Sequence, residues 1–181
     1  MRLPEVSRTI QAPDGVDITV TGKTVAVKGA KGTLTRDFSH AIVEMEGTGK
    51  TVRIWAKWPR KKESALVGTL ESHIKNMIKG VTTGYTYKLK IVFSHFPISV
   101  KVQDRSVLIE NFTGERRPRR VKILGSVKVV IDNEDVVVSG IDLEQVSQTA
   151  ANIEQSTKVR GKDPRVFLDG IYVYEQNEGM A

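Results

Sequence analysis

The sequence contains no cysteine, so disulfide bonds and thiolate metal ligands are excluded. Because disulfides mark oxidising compartments, this absence favours an intracellular address. No apolar run approaches the roughly 18 residues of a membrane-spanning helix. The first residues, MRLPEVSRTIQAP, also lack the apolar core of a signal peptide. We therefore predict no membrane segment and no membrane partner.

Histidine is scarce, with His40, His73 and His95 as the three examples. None has a second ligand at a spacing such as H-x-x-x-H, so we interpret each as a surface or turn histidine. There is no G-x-S-x-G nucleophile elbow, and no pattern of carboxylates indicates an acid–base pair. We predict that the chain is not an enzyme and has no catalytic residues, metal site, cofactor or small-molecule substrate.

One stretch resembles the end of a phosphate-binding loop. It runs Gly-Thr-Gly-Lys-Thr over Gly47–Thr51, but Glu44 occupies the position that the motif reserves for its first glycine. The motif also needs a helix after the threonine, whereas the residues from Val52 onward read as a strand. We interpret the stretch as a hairpin turn.

Negative charge is in the minority. The 28 lysines and arginines exceed the 21 acidic residues, which leaves a net charge of +7. Such a surplus attracts a polyanion, either nucleic acid or an anionic membrane surface, although a plain basic globular protein has the same composition. Aromatic residues make up only 6% of the chain, so pairs of rings for stacking single-stranded bases are few.

The chain contains an internal repeat. VDITVTGKTVAVKGAKGTL, from Val16, aligns with ISVKVQDRSVLIENFTGER, from Ile98, at a constant offset of 82 residues. Each copy alternates apolar and polar residues, makes a turn and alternates again, which predicts a hairpin with one buried face. The turns are expected at Gly22-Lys23 and at Asp104-Arg105.

The repeat continues through a further strand and a helix in each half. The strands are expected at Thr51–Lys57 and Asp135–Ser139, and Asp142 is the expected N-cap of the second helix. Gly80 is the expected end of the first helix. The apolar stripes, spaced at three to four residues, are Leu66, Leu70, Ile74 and Met77 in the first helix and Leu143, Val146, Ala150 and Ile153 in the second.

This pattern predicts an α+β fold. It comprises two tandem copies of a small antiparallel sheet packed against one helix, because each apolar helix face needs a half-buried sheet as its partner. We place the first repeat at residues 1–82 and the second at 83–181, with a strand over Tyr85–Ile91 leading into the second.

Three basic clusters lie in predicted loops or at element ends, where a phosphate backbone can approach. Arginine has a planar fork of donors that matches phosphate oxygens, and Gly161 lets the backbone come close to a ligand. Any one cluster alone is more simply a solvated loop, but three clusters with a net charge of +7 favour nucleic acid. Because both helices are used for the core, a folded RNA fits better than a duplex read by a recognition helix. The candidate binding residues are Arg60, Lys61, Lys62, Arg116, Arg117, Arg119, Arg120, Lys158, Arg160, Gly161, Lys162 and Arg165.

The C-terminal region carries a specific signature, which comprises Gln155–Val159, Lys162, Arg165, Phe167 and Asp169–Val173. It resembles the end of the large-subunit ribosomal protein six family in its archaeal and eukaryotic version, which is numbered nine in eukaryotes. Further stretches that resemble this version are Ile109–Phe112 with Gly114 and Glu115, Asp142–Val146, and Phe167–Gly170. The bacterial form usually ends on a Lys- and Gly-rich stretch that this chain lacks, which favours an archaeal source. The chain departs from the family pattern at Glu175-Gln176, where a basic residue is expected.

The resemblance implies two similar α+β units and no catalytic activity. It implies a cytoplasmic ribosomal protein that binds large-subunit, 23S-type rRNA near the base of the stalk, close to the translational GTPases, and stabilises the tertiary structure of that RNA. Neighbouring large-subunit proteins are then its other partners. The main alternative is a basic, β-rich module that binds other proteins, and an enzyme of unrecognised type is a second.

The basic C-terminal loop is followed by apolar residues, and we expect these to hold it in place. A loop fixed in this way loses less entropy on binding than a mobile tail. Gly170 would permit a turn between the apolar residues that precede it and those that follow it. Tyr172 is expected to pack in the core or in an interface. The expected anchors in the second core are Val166, Phe167, Leu168, Ile171 and Val173.

Overall fold

The computed structural model of the chain describes residues 4–48, 50–163 and 165–180. The chain divides into two compact units, Met1–Thr83 and Gly84–Ala181. Gly49, part of the stretch that resembles a phosphate-binding loop, lies outside the described residues. A strand ends just before it at Thr48 and the next begins at Thr51, so no helix follows this stretch.

Strands build most of the first unit. In its described part they form two three-stranded antiparallel sheets, ordered β1-β6-β5 and β2-β3-β4, and one helix packs against strands of both. The elements are β1 (Glu5–Gln11), β2 (Asp17–Thr21), β3 (Thr24–Gly29), β4 (Gly32–Asp37), β5 (Glu44–Thr48), β6 (Thr51–Lys57) and α1 (Lys61–Thr82).

The first core forms where α1 covers the inner faces of β1, β3 and β6. The strands bury alternate residues and the helix buries residues three to four apart, as the two periodicities require. Leu66, predicted for the apolar stripe of the helix, is only partly buried, and Val67 takes the buried position. The fully or almost fully buried side chains include Val25, Val27, Val52, Ile54, Val67, Leu70, Ile74 and Val81.

The helix α1 does not end at Gly80, so that prediction is wrong. It continues to Thr82, and Gly80 is buried inside it. The helix ends instead at the C-cap Thr83, and Gly84 follows it with φ 79°. The backbone N–H of Lys31 also donates to the carbonyl of Val81 at 3.0 Å. A Cβ at Gly29 would lie 2.6 Å from Cγ2 of Val81, so this close approach requires glycine at the end of β3.

The second unit has the same plan, with one more strand in its described part than in that of the first unit. In the described residues its sheets are four-stranded, in the order β11-β12-β7-β13, and three-stranded, in the order β10-β9-β8. The elements are β7 (Tyr85–Val92), β8 (Ser99–Gln103), β9 (Ser106–Glu110), a 3-10 turn (Phe112–Gly114), β10 (Arg119–Lys122), β11 (Lys128–Asp132), β12 (Asp135–Gly140), α2 (Leu143–Ser156) and β13 (Gly170–Glu178).

The sequence repeat is present in the structure. The hairpins β2–β3 and β8–β9 turn at the predicted dipeptides, and the aligned residues Val25 and Val107 are both fully buried. The α+β class is therefore confirmed, although each unit contains two small antiparallel sheets where the pattern indicated one. Strand β13 has no counterpart among the described residues of the first unit, and it pairs with β7 along the edge of the four-stranded sheet.

The helix α2 begins as predicted. Asp142 is its N-cap, and a carboxylate oxygen of Asp142 accepts the backbone N–H of Glu144 at 3.0 Å. Gln145 does not reach back to the cap, because its side-chain oxygen accepts the N–H of Ser126 at 3.2 Å. No helix in the described part of the chain is long and apolar enough to span a membrane.

Candidate nucleic-acid interface

The basic loop that follows α2 lines a cleft in the second unit. Lys158, Arg160 and Lys162 lie on its wall together with Arg119 from β10, and the cleft volume is about 510 Å³. The three loop residues are largely exposed. The structure therefore brings together cations from two of the clusters that the sequence singled out.

Arg119 differs from the other cations of this cleft, because protein groups already bind it. Its guanidinium donates to both carboxylate oxygens of Glu115, at 2.9 and 2.5 Å, and also to the carbonyl of Ser156 at the end of α2. It lies 4.3 Å above the ring of Phe112. The hydrogen bond from Arg119 lowers the pKa of Glu115 below its usual value, although partial burial opposes it. Arg119 thus ties β10 to the end of α2.

A stack of side chains fixes the basic loop to the rest of the unit. The Nζ atom of Lys162 lies 4.2 Å from the centre of the Phe167 ring. On that ring stacks His95, from the connection between β7 and β8, with 4.6 Å between ring centres and an interplanar angle of 21°. The imidazole in turn contacts the carboxylate of Asp169 through Nδ1 at 2.7 Å. Lys162 is thereby connected to a buried carboxylate through two stacked rings.

Asp169 is the buried end of this stack, with only 2% of its surface exposed. Besides the imidazole contact, it accepts the backbone N–H groups of Ser94 at 2.5 Å and His95 at 3.1 Å. Burial acts to raise the pKa of Asp169, but these hydrogen bonds and the imidazole outweigh it and hold the pKa below its usual value. Since an ionised carboxylate has no proton to give, Nδ1 of His95 is the donor.

The predicted apolar anchors are only partly correct. Ile171 is fully buried and Val173 is partly buried, but Val166 and Leu168 are 59% and 55% exposed, so neither is an anchor. Phe167 is half-buried and holds the loop through its stacked neighbours rather than through the core. The residues before β13 do not form a strand, so apolar character alone did not indicate which of them point inward.

Hydrogen bonds from α2 and its C-cap secure the first part of β13. The hydroxyl of Thr157, itself 2% exposed, accepts the N–H of Ile171 at 3.0 Å. A carboxylate oxygen of Glu154 accepts the N–H of Val173 at 3.3 Å. Tyr172 is 43% exposed and is not a core residue, and its hydroxyl donates to the carbonyl of Leu168 at 3.2 Å.

The remaining candidates are exposed and do not converge on the cleft. Arg116 and Arg117 precede β10. Arg120 lies within β10, and its side chain points away from the core. Gly161 has φ +71°, and a Cβ there would meet nothing within 4 Å, so the backbone conformation rather than space favours glycine. Arg165 is exposed, and its backbone N–H donates to a carboxylate oxygen of Asp163 at 2.9 Å. Arg60, Lys61 and Lys62 belong to the other unit, where they begin α1.

Sequence reasoning missed the two residues that secure the basic loop, His95 and Asp169. His95 was interpreted as a turn histidine, and 74 positions separate it from Asp169, so no local spacing connects them. Asp169 belonged to the family signature, but nothing in the sequence indicated its burial. Among the described residues, no group of histidine and carboxylate side chains could hold a metal ion.

Known proteins resemble the chain over almost its full length. The family model described as ribosomal protein L6 matches residues 12–84 and 96–170, one stretch for each copy of the repeat. The large ribosomal subunit protein uL6 of Staphylothermus marinus is 51% identical over 98% of each chain. The uL6 protein of Ignicoccus hospitalis is 52% identical over 93% of this chain and 94% of its own length. The uL6 protein of Methanothrix thermoacetophila is 47% identical over 95% of this chain and 98% of its own length. The family resemblance seen in the sequence is confirmed, and the chain belongs to the ribosomal protein L6 family.

Proposed function

We propose that the chain is a structural component of the large ribosomal subunit, and that its second unit binds large-subunit, 23S-type rRNA and stabilises the tertiary structure of that RNA. Membership of the family and the names of its relatives, all large ribosomal subunit proteins, support the first part. The observation that carries the RNA contact is the convergence of Lys158, Arg160 and Lys162 on one cleft.

The chemistry of this cleft suits a phosphate backbone. No ion pair within the described part of the chain neutralises Lys158, Arg160 or Lys162, so their charges are available to phosphates. The stack from Lys162 to Asp169 holds the loop in one position, which reduces the entropy that binding costs. RNA stabilisation then consists of neutralising phosphates where RNA segments meet.

The finer location follows the family resemblance. We place the protein near the base of the stalk, beside neighbouring large-subunit proteins and close to where translational GTPases bind, in the cytoplasmic ribosome. The exposed cations outside the cleft, at Arg116, Arg117, Arg120 and Arg165, would extend the RNA contact of the second unit, and those at Arg60–Lys62 would supply one in the first.

Sedimentation of the tagged chain tests assembly. The chain is expected in the large-subunit fraction of a sucrose gradient, and it should remain there after a wash at moderate salt. Its absence from that fraction, together with specific capture of another protein, would favour the alternative of a basic protein-binding module.

Salt-dependent binding of the full chain to a large-subunit rRNA fragment tests the RNA-binding role. Replacing Arg160, Lys162 and Arg165 by glutamine should weaken binding and reduce the slope of log affinity against log salt by about 0.7–0.9 for each phosphate that the variant no longer binds. Lys128→Gln is the matched control, since this exposed cation on β11 lies outside the clusters. An unchanged slope in the triple variant would assign these cations to the solvated surface.

A further inference from the structure

Trp58 is a large apolar side chain that the RNA contact of the second unit leaves unexplained. The residues Val52, Ile54 and Ala56 of β6 are all buried, and continued alternation would bury position 58 as well. Instead the strand ends at Lys57 and Trp58 is 65% exposed. Tryptophan is highly buried on average, so a ring turned into solvent is a candidate contact whose neighbours decide what it could bind.

The backbone fixes the place from which this ring projects. Trp58 has φ 49°, which is an outlier for a bulky residue and unusual before a proline. Its N–H donates to the carbonyl of Pro4 at 2.8 Å, and Pro59 on its other side is buried. The exposed ring therefore stands on an anchored stretch of chain.

Cations surround the ring in the sequence and share its exposure. They are Lys57, Arg60, Lys61 and Lys62. None forms an ion pair with the residues that the structure describes, and the neighbouring carboxylate of Glu63 is used by the backbone N–H of Arg60 at 2.7 Å. The segment Lys57–Lys62 thus offers one open aromatic face and four charges that no carboxylate of the described residues neutralises.

We infer that the segment Lys57–Lys62 is a separate RNA contact, in which Trp58 stacks on an unpaired base while the flanking cations bind the adjacent phosphates. The inference rests on the proposed function and adds to it the kind of nucleotide that the first unit takes. Every base has a face that can stack on an aromatic ring, but bases inside a duplex already stack on each other, so the base must be unpaired. A protein partner fits less well, because the segment Lys57–Lys62 itself exposes one ring among four cations.

Binding of the full chain to two RNAs of equal charge tests this inference. One RNA is a hairpin with an unpaired loop, and the other is a fully paired duplex. Trp58→Ala should weaken binding to the hairpin by about 5- to 150-fold, which corresponds to the removal of one stacked base. Trp58→Phe should retain part of the affinity, and neither variant should change duplex binding. The salt slope should stay constant for Trp58→Ala but fall for a Lys61→Gln, Lys62→Gln double variant.

Tyr174→Ala is the matched control, because Tyr174 is also an exposed aromatic residue, at 53%, but is followed by Glu175 instead of cations. Thermal unfolding of each variant confirms that it folds. Two outcomes would overturn the inference and leave the proposed function standing. In the first, Trp58→Ala lowers the affinity for hairpin and duplex equally. In the second, Trp58→Ala leaves RNA affinity unchanged, whereas the triple variant of the second unit binds RNA more weakly. If neither Trp58→Ala nor the triple variant alters RNA binding, the inference and the proposed RNA-binding role are both wrong. Weaker binding to anionic lipid vesicles with unchanged RNA binding would also overturn it.

Discussion

The Nδ1 atom of His95 lies 2.7 Å from Oδ2 of Asp169, which joins the connection after β7 to the segment before β13. The Phe167 ring, stacked on the imidazole, carries Lys162 beside it. The position of a basic side chain at the proposed RNA contact therefore depends on a carboxylate that is itself buried.

Replacing Asp169 by asparagine should lower the free energy of unfolding by about 1.5–3 kcal/mol, because the variant no longer offers its hydrogen-bond donors a charged acceptor. It should also weaken RNA binding, since the basic loop is no longer held. Urea denaturation and RNA titration measure the two effects. Asp17→Asn is the control, because Asp17 is exposed on β2 of the other unit. If Asp169→Asn leaves both quantities unchanged, the carboxylate does not hold the loop.

The pH dependence of stability should show the same carboxylate. The folded state lowers the pKa of Asp169, so its contribution is fully present above the unfolded pKa of about 4 and is lost as pH falls through the folded pKa. The stability difference between the native sequence and Asp169→Asn should therefore be present at neutral pH and shrink as the pH falls below about 4. Urea denaturation across this range measures it. A difference that persists unchanged at low pH would mean that the charge of Asp169 is not responsible.

Phe167→Ala should cost about 1–2.5 kcal/mol, the combined value of one stacked pair and one exposed cation–π interaction. A fully buried phenylalanine would cost about 3–5 kcal/mol, but this ring is only half-buried. Phe167→Leu keeps most of the apolar volume but has no π face, so it should remove the stacking and the cation–π contributions together. Chemical denaturation measures the loss in free energy of unfolding and distinguishes the two ranges. A loss in the upper range would show that the Phe167 ring is packed in the core.

The two kinds of apolar residue around β13 should respond differently to truncation. Ile171→Ala should lower stability by about 2–5 kcal/mol, because Ile171 is fully buried. Leu168→Ala should change it by less than about 0.5 kcal/mol, because Leu168 is 55% exposed. Denaturation of the two variants side by side measures the contrast. Similar costs at both positions would contradict the exposure of Leu168.

Two adjacent arginines provide a further test. Arg119→Gln should reduce stability by about 1 kcal/mol, because the variant cannot make the hydrogen bonds to Glu115 and Ser156. Arg120→Gln should leave stability unchanged, and the salt slope of RNA binding should fall by about 0.7–0.9 if Arg120 contacts a phosphate. The reverse assignment of the two effects would show that Arg119 is the residue that binds phosphate.

Much of the local structure could be predicted from periodicity. Strand β6 was predicted at Thr51–Lys57, where it lies, and Asp142 was predicted as the N-cap of α2. These features depend on neighbours within a few residues. The end of α1 was predicted wrongly at Gly80, because the glycine that follows the C-cap in the left-handed conformation is Gly84, with φ 79°. The local pattern did not distinguish these two glycines.

The amino-acid sequence by itself determined the α+β class, the duplicated module, the family and the surplus of basic residues, because alternation, helical spacing and charge are properties of neighbouring positions. Only the tertiary structure decided which basic residues share a cleft, that Glu115 already binds Arg119, and that Asp169 and His95 hold the loop. It also decided that Leu168 and Trp58 are exposed although both are apolar. Burial and partnership depend on which surfaces meet across long stretches of chain, and no local pattern encodes that meeting.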